Sequence, residues 1–163
     1  MIQKFSFLLI GILVCLLAAC DNSRVYEDYK EFNSKTWHIN DTVRFEFQIT
    51  DTTKHYNLKF NVRNTLDYPY ARLFVNYKLS DENNKTLSSK MISGYLFDQK
   101  TGNPFGNSGL GDIYDNQFPL LDQYSFYKAG KYHIRFQQFM RMDTLPGILA
   151  AGLRVEIAKK SEE

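Results

Sequence analysis

Three histidines, two cysteines and one loop rich in Gly, Asn and Asp are the groups that could do chemistry here. A metal site needs convergent His, Cys or carboxylate ligands at spacings such as HxxxH, and His38, His55 and His133 stand far apart with no such neighbours. They read as solvated surface histidines. Serine chemistry needs a nucleophile on a strained turn ahead of a helix. Gly106-Asn107-Ser108-Gly109 lacks the G-x-S-x-G spacing, and the glycines around it match neither GxGxxG nor a P-loop. Asp98, Asn103, Asn107, Asp112 and Asp115 supply oxygens of the kind calcium takes, but without EF-hand spacing, so a plain solvated loop is expected. No pair of carboxylates stands out as a glycosidase dyad. We therefore expect no catalytic residues, no metal and no cofactor.

The thiols remain. Cys15 and Cys20 lie within "LLIGILVCLLAACDNS", behind the single cation Lys4. A basic residue, an apolar core and a small-residue processing site are the layout of a secretory signal. The apolar run is shorter than the roughly 20 residues a membrane-spanning helix needs. "LAAC", Leu17 to Cys20, resembles the lipobox of bacterial lipoproteins, in which the cysteine is joined to a diacylglycerol and becomes the first residue after cleavage. Cys15 then leaves with the signal, and Cys20 is an anchor, not a disulfide, a zinc ligand or a nucleophile. Acyl chains hold a membrane durably because each buried methylene contributes about 0.8 kcal/mol.

The expected organisation is a signal peptide at 1–19, a lipidated N-terminus and tether at 20–36, and one domain at 37–163. Lys and Arg total 20 against 18 Asp and Glu, and so even a balance argues against nucleic acid as a partner. Aromatic residues make up 15% of the chain, which favours strands.

Alternation dominates from Trp37 onward. "VRFEFQI" points Val43, Phe45, Phe47 and Ile49 one way; "HYNLKFNVR" repeats the pattern with Tyr56, Leu58, Phe60 and Val62. Asp51 to Lys54 reads as a hairpin between them, "DENNK" as another after "RLFVNYKLS", and Lys128-Ala129-Gly130 as a third between "QYSFY" and "KYHIRFQQFM". "GLRVEIAK" closes the set. The fold class expected is all-β, an antiparallel sandwich, jelly-roll-like, of about eight strands. Phe74 and Phe139 fall out of phase with their inward neighbours, as rings on a sugar-binding face or a protein interface would.

Two segments look more particular than a generic sandwich: "VRNTLDYPYARLF", Val62 to Phe74, and "QQFMRMDTLPGILAAGLRVEI", Gln137 to Ile157. With the lipobox, Trp37 and "GNPFGNSGLGD" they resemble the gliding-motility lipoprotein GldH family of Bacteroidetes. The resemblance spans nearly the whole chain. It implies a non-enzymatic cell-envelope lipoprotein that supports gliding and the linked type IX secretion machinery through protein-protein binding. A glycan-binding envelope lipoprotein is the alternative. An outer-membrane anchor facing the periplasm is expected, although Asp21 after Cys20 resembles an enterobacterial inner-membrane signal. Tyr68, Tyr70, Arg141 and Asp143 are the expected partner-binding residues, with Met140 and Leu145 packing the end of the domain. In the competing purely structural reading, Arg63 pairs with Asp67 and Arg141 with Asp143 across their turns.

Overall fold

A computed structural model describes residues 23–109 and 111–159, so the signal segment and Cys20 lie outside the described residues. Among the described residues eleven strands follow one another: β1 (Arg24–Glu31), β2 (Thr36–His38), β3 (Val43–Ile49), β4 (Tyr56–Thr65), β5 (Arg72–Asp81), β6 (Thr86–Tyr95), β7 (Asn107–Ser108), β8 (Ile113–Tyr124), β9 (Gly130–Gln138), β10 (Thr144–Pro146) and β11 (Ile148–Ile157). They form three antiparallel sheets, ordered β1-β11-β4-β8-β7, β3-β9-β5-β6 and β10-β2. The fold is all-β.

The period of two builds the core. On β3, Val43, Phe45, Phe47 and Ile49 are buried while the residues between them are exposed. Leu58, Phe60 and Val62 of β4, Leu73, Val75 and Tyr77 of β5, Ile134 and Phe136 of β9, and Leu153 and Val155 of β11 join the same apolar cluster. Both larger sheets therefore bury one face in a common core, as antiparallel sheets do.

The stretch expected to be tether, residues 20–36, contains β1 as an edge strand. Edge position explains why alternation failed to announce it: "RVYEDYKE" is charged and at most half-buried. β1 docks because β11 is stripped to Ala150-Ala151-Gly152 beside it. A side chain at Gly152 would lie 2.7 Å from the Tyr29 ring. Tyr26 reaches across to Phe45 and Phe47, with centroids 6.4 and 6.0 Å apart.

Two of the three expected hairpins are not hairpins. β3 pairs with β9 while β4 pairs with β11 and β8, so the Asp51–Lys54 turn carries the chain from one sheet to the other. Likewise β8 and β9 lie in different sheets, and "QYSFY" holds the last two residues of β8, a strand that begins at Ile113, and the start of the crossing. Phe126 fills the space between the crossings, 5.6 Å from Tyr56, 6.0 Å from Phe47 and 4.5 Å from Tyr132. Only "DENNK" closes a true hairpin, between β5 and β6.

That hairpin rests on Asp81, whose buried carboxylate accepts the Asn83 and Lys85 amides at 2.9 Å each and the Tyr127 hydroxyl at 2.6 Å. The Tyr127 hydrogen bond, then those amides, hold the carboxyl below its usual range. An acid depressed in the folded state contributes stability above its unfolded pKa, about 3.9, and loses it as pH falls through the lower folded value. Melting temperature followed from pH 6 to pH 2 should show a shallower acid decline in Asp81→Asn than in wild type.

Candidate functional site

Strand direction gives the domain two distinct ends. At one end Ser23 enters β1, its carbonyl accepting the Ile157 amide at 2.7 Å, and Ala158 N–H donates to His55 O at 2.9 Å. At the other end lie the β4–β5, β6–β7 and β9–β10 connections and the turn at Gly147. The eight residues of β1, at about 3.3 Å each, separate the two ends by roughly 25 Å. Both particular sequence segments therefore turn at the end remote from the chain's entry.

The structure joins those two segments. The Thr65 amide donates to Gly147 O at 2.9 Å. Gly147 adopts φ 75°, and a Cβ there would sit 2.4 Å from the backbone nitrogen of Tyr68. Leu145, fully buried, lies opposite Trp37 in the β10–β2 pair. Gln138, also buried, shapes the following turn: its amide donates to Met142 O at 2.8 Å and its carbonyl accepts Met140 N–H at 2.7 Å. Met140 packs against the core, its sulfur accepting the Phe74 amide at 3.4 Å.

Tyr68 and Tyr70, neighbours across Pro69, part company. Tyr68 is 4% exposed, its hydroxyl donating to Arg72 O at 3.0 Å and its ring stacked 6.4 Å from Phe97. Burial pushes its phenol pKa well up. Tyr70 is 39% exposed, edge-on to Tyr68 at 5.9 Å, with its hydroxyl against the Met142 sulfur. Tyr68 is thus the floor beneath Tyr70.

Arg141 and Asp143 are exposed and, among the described residues, their side chains make no hydrogen bond or ion pair with each other or elsewhere. The pairing of Arg63 with Asp67 is also not made. Arg63 faces outward on β4 and reaches Asp115 on β8 with two hydrogen bonds, 2.9 and 3.3 Å. Asp67 instead meets the Thr65 hydroxyl.

In the Gly/Asn/Asp loop two of the candidate oxygen donors are already engaged. Asp98 accepts the Thr101 and Lys100 amides at 2.7 and 2.9 Å, which lower its pKa, and Asp115 belongs to Arg63. Among the described residues no group of three or more His, Cys, Asp or Glu could hold a metal. His133 meets Glu46 at 3.6 Å on a sheet face.

What the remote end offers is surface. Leu66, Tyr70, Tyr95, Phe105 and Phe139 are exposed there, by 48, 39, 38, 43 and 57%, leaving only Val25, Met91 and Tyr127 as large exposed apolar side chains elsewhere among the described residues. Arg72 lies over the rings of Phe74 and Tyr95, 5.0 and 4.9 Å from their centroids. Leu66 and Phe105 lie in the segments that carried the resemblance, but each stands in a loop where periodicity says nothing of its exposure.

A family model described as GldH lipoprotein matches residues 24–155. This chain belongs to the GldH lipoprotein family. "Gliding motility lipoprotein GldH homolog" of Christiangramia forsetii is 31% identical over 161 residues, covering 94% of this chain and 96% of that protein. "Gliding motility lipoprotein GldH" of Flavobacterium johnsoniae is 31% identical over 156 residues, covering 90% and 94%. Among solved structures, a VP2 subviral particle of infectious bursal disease virus is 14% identical and covers 85% of this chain and 33% of that one, with a TM-score of 0.43, too loose a likeness to carry an argument. The matched span begins at Arg24, the first residue of β1, so the edge strand belongs to the GldH domain proper.

Proposed function

We propose that this GldH-family chain is a non-enzymatic, membrane-anchored envelope lipoprotein whose remote end binds a protein of the gliding-motility and type IX secretion machinery. The observation that carries the reading is the concentration of exposed apolar side chains at that end, around the unpaired charges of Arg141 and Asp143. Clustered exposed apolar groups with a polar rim mark protein interfaces. A catalytic reading finds no comparable support, because among the described residues no nucleophile, base and oxyanion donors converge.

The anchor makes the geometry useful. Cys20 precedes Arg24 by so few residues that, at about 3.5 Å each, the entry end of the domain stays close to the lipid. The two larger sheets, taken as the leaves of a jelly-roll-like sandwich, then hold Tyr70, Arg141 and Asp143 away from the membrane on the buried support of Tyr68. We place the anchor in the outer membrane, facing the periplasm, with residues 1–19 removed as signal. A partner in the same compartment meets this end at high effective concentration.

Cys20→Ser should leave the protein without fatty acid and displaced from the membrane fraction. Labelling cells with a radioactive fatty acid checks it, and wild-type protein that takes up no label would sink the anchor. The binding role is tested by capture from detergent-solubilised envelopes, with wild type retaining a discrete partner that remote-end variants lose.

A further inference from the structure

The outer face of the four-stranded sheet carries cations that the fold does not need. In the register of that sheet Arg44 lies opposite Arg135, Arg135 opposite Lys78, and Lys78 opposite Ser89. Three positive side chains thus occupy one row across three adjacent strands, about 4.8 Å apart from strand to strand. Like charges placed directly opposite destabilise a sheet. Among the described residues none of the three has an ion pair or side-chain hydrogen bond, and the nearby carboxylate of Glu46 is held by Lys131 at 2.7 Å and His133 at 3.6 Å. The other sheet behaves differently. On its outer face Lys59 pairs with Glu156, Arg63 with Asp115, and Arg154 with both Glu27 and Glu156. Of these two outer sheet faces, one pairs its cations and the other leaves a row of them unpaired.

The row also sits in a depression. Two open concavities of about 550 and 490 Å³ meet along it, sharing Lys78 and Arg135. Ser80 and Asn84 line one; Asn76, Ser89 and Gln137 line the other. The apolar residues of these walls are mainly core side chains, Phe45, Ile134 and Tyr77, so the concavities offer no aromatic anchor of the kind a protein interface centre uses. Glu46 also lines the first concavity, but its carboxylate is held by Lys131 and His133, so the unpaired charge along the walls is positive, and a cleft dominated by one sign of charge concentrates ligands of the other sign. Amide and hydroxyl groups beside guanidinium groups suit a ligand that is both anionic and rich in hydroxyls.

We propose that this face is a binding site for an acidic oligosaccharide, with Arg44, Lys78 and Arg135 taking its carboxylate or phosphate groups and Asn76, Gln137 and Ser80 its hydroxyls. The site is separate from the remote end, so it stands or falls independently of the protein partner. It also explains the repulsion: stability is given up where a ligand supplies the missing negative charge.

The test uses the full chain purified in detergent and titrated calorimetrically with a galacturonic acid hexamer, a neutral galactose hexamer and decaglutamate. The uronic acid hexamer should bind, with affinity falling as salt rises, and Arg135→Gln and Lys78→Gln should each weaken it about tenfold or more. Without ligand, Arg135→Gln should melt about 1–4 °C higher, because it relieves like-charge contacts. Lys54→Gln, at the entry end, should bind the hexamer as wild type does. Equal binding of the neutral hexamer, tighter binding of decaglutamate, unchanged affinity in the sheet variants, or a lower melting temperature in Arg135→Gln would each overturn the proposal.

Discussion

Gly147→Ala is expected to lower the melting temperature by about 10 °C. The backbone at Gly147 holds φ 75°, where an L side chain costs roughly 1–2 kcal/mol. The added Cβ would also meet the Tyr68 nitrogen at 2.4 Å and its Cα at 2.7 Å, and backbone cannot swing aside as a flexible side chain can. Overpacking of that kind costs about 1–3 kcal/mol more. Each 1 kcal/mol shifts the transition by about 2–8 °C, according to domain size. Gly102→Ala is the control, because its φ of 71° carries the same backbone penalty while nothing lies within 4 Å of the new Cβ. Calorimetry should therefore show Gly147→Ala melting well below Gly102→Ala. Equal shifts would mean that Gly147 does not lock the two segments together.

Loss of partner capture is the second large effect. Arg and Tyr dominate interface energetics, and truncating one central residue commonly costs 2 kcal/mol or more, about thirtyfold in affinity. Arg141→Ala should lose its partner by about that factor while melting within about 2 °C of wild type, since its side chain touches nothing the fold requires. Tyr70→Ala should lose capture as strongly but melt lower, because its ring also covers Tyr68. Asp143→Asn separates charge from shape: weakened capture assigns the carboxylate to a cationic group on the partner. Quantitative blots of captured protein beside calorimetry of the same variants read both quantities. An Arg141→Ala protein that melts much lower would return the residue to a structural role.

The sequence announced its strands where one face is buried and the other wet, because such strands alternate with a period of two. Val43 to Ile49, Tyr56 to Val62 and Leu73 to Leu79 are of this kind. β1 stayed hidden because an edge strand with Arg, Glu, Asp and Lys on it has no clean inward face. Pairing was less legible than strand identity. A connection as short as Asp51–Lys54 can close a hairpin or cross between sheets, and the choice is decided by distant pairing of β3 with β9 and by packing such as the Phe126 ring among Tyr56, Phe47 and Tyr132. At the remote end the burial of Tyr68 was not legible, since Tyr68 and Tyr70 flank the same proline with identical side chains. Arg63 illustrates the remaining gap: its partner Asp115 is 52 residues away, and only strand register brings them together.

Photo-crosslinking in the native host tests the central claim most directly. A benzoyl-phenylalanine placed at Tyr70 or Phe139, both exposed at the remote end, should join the lipoprotein to one discrete envelope protein. The same probe at Lys54, at the entry end beside Asp51, should join it to none. A crosslink from Lys54 alone, or none from Tyr70 and Phe139, would contradict the assignment of the remote end as the partner-binding surface.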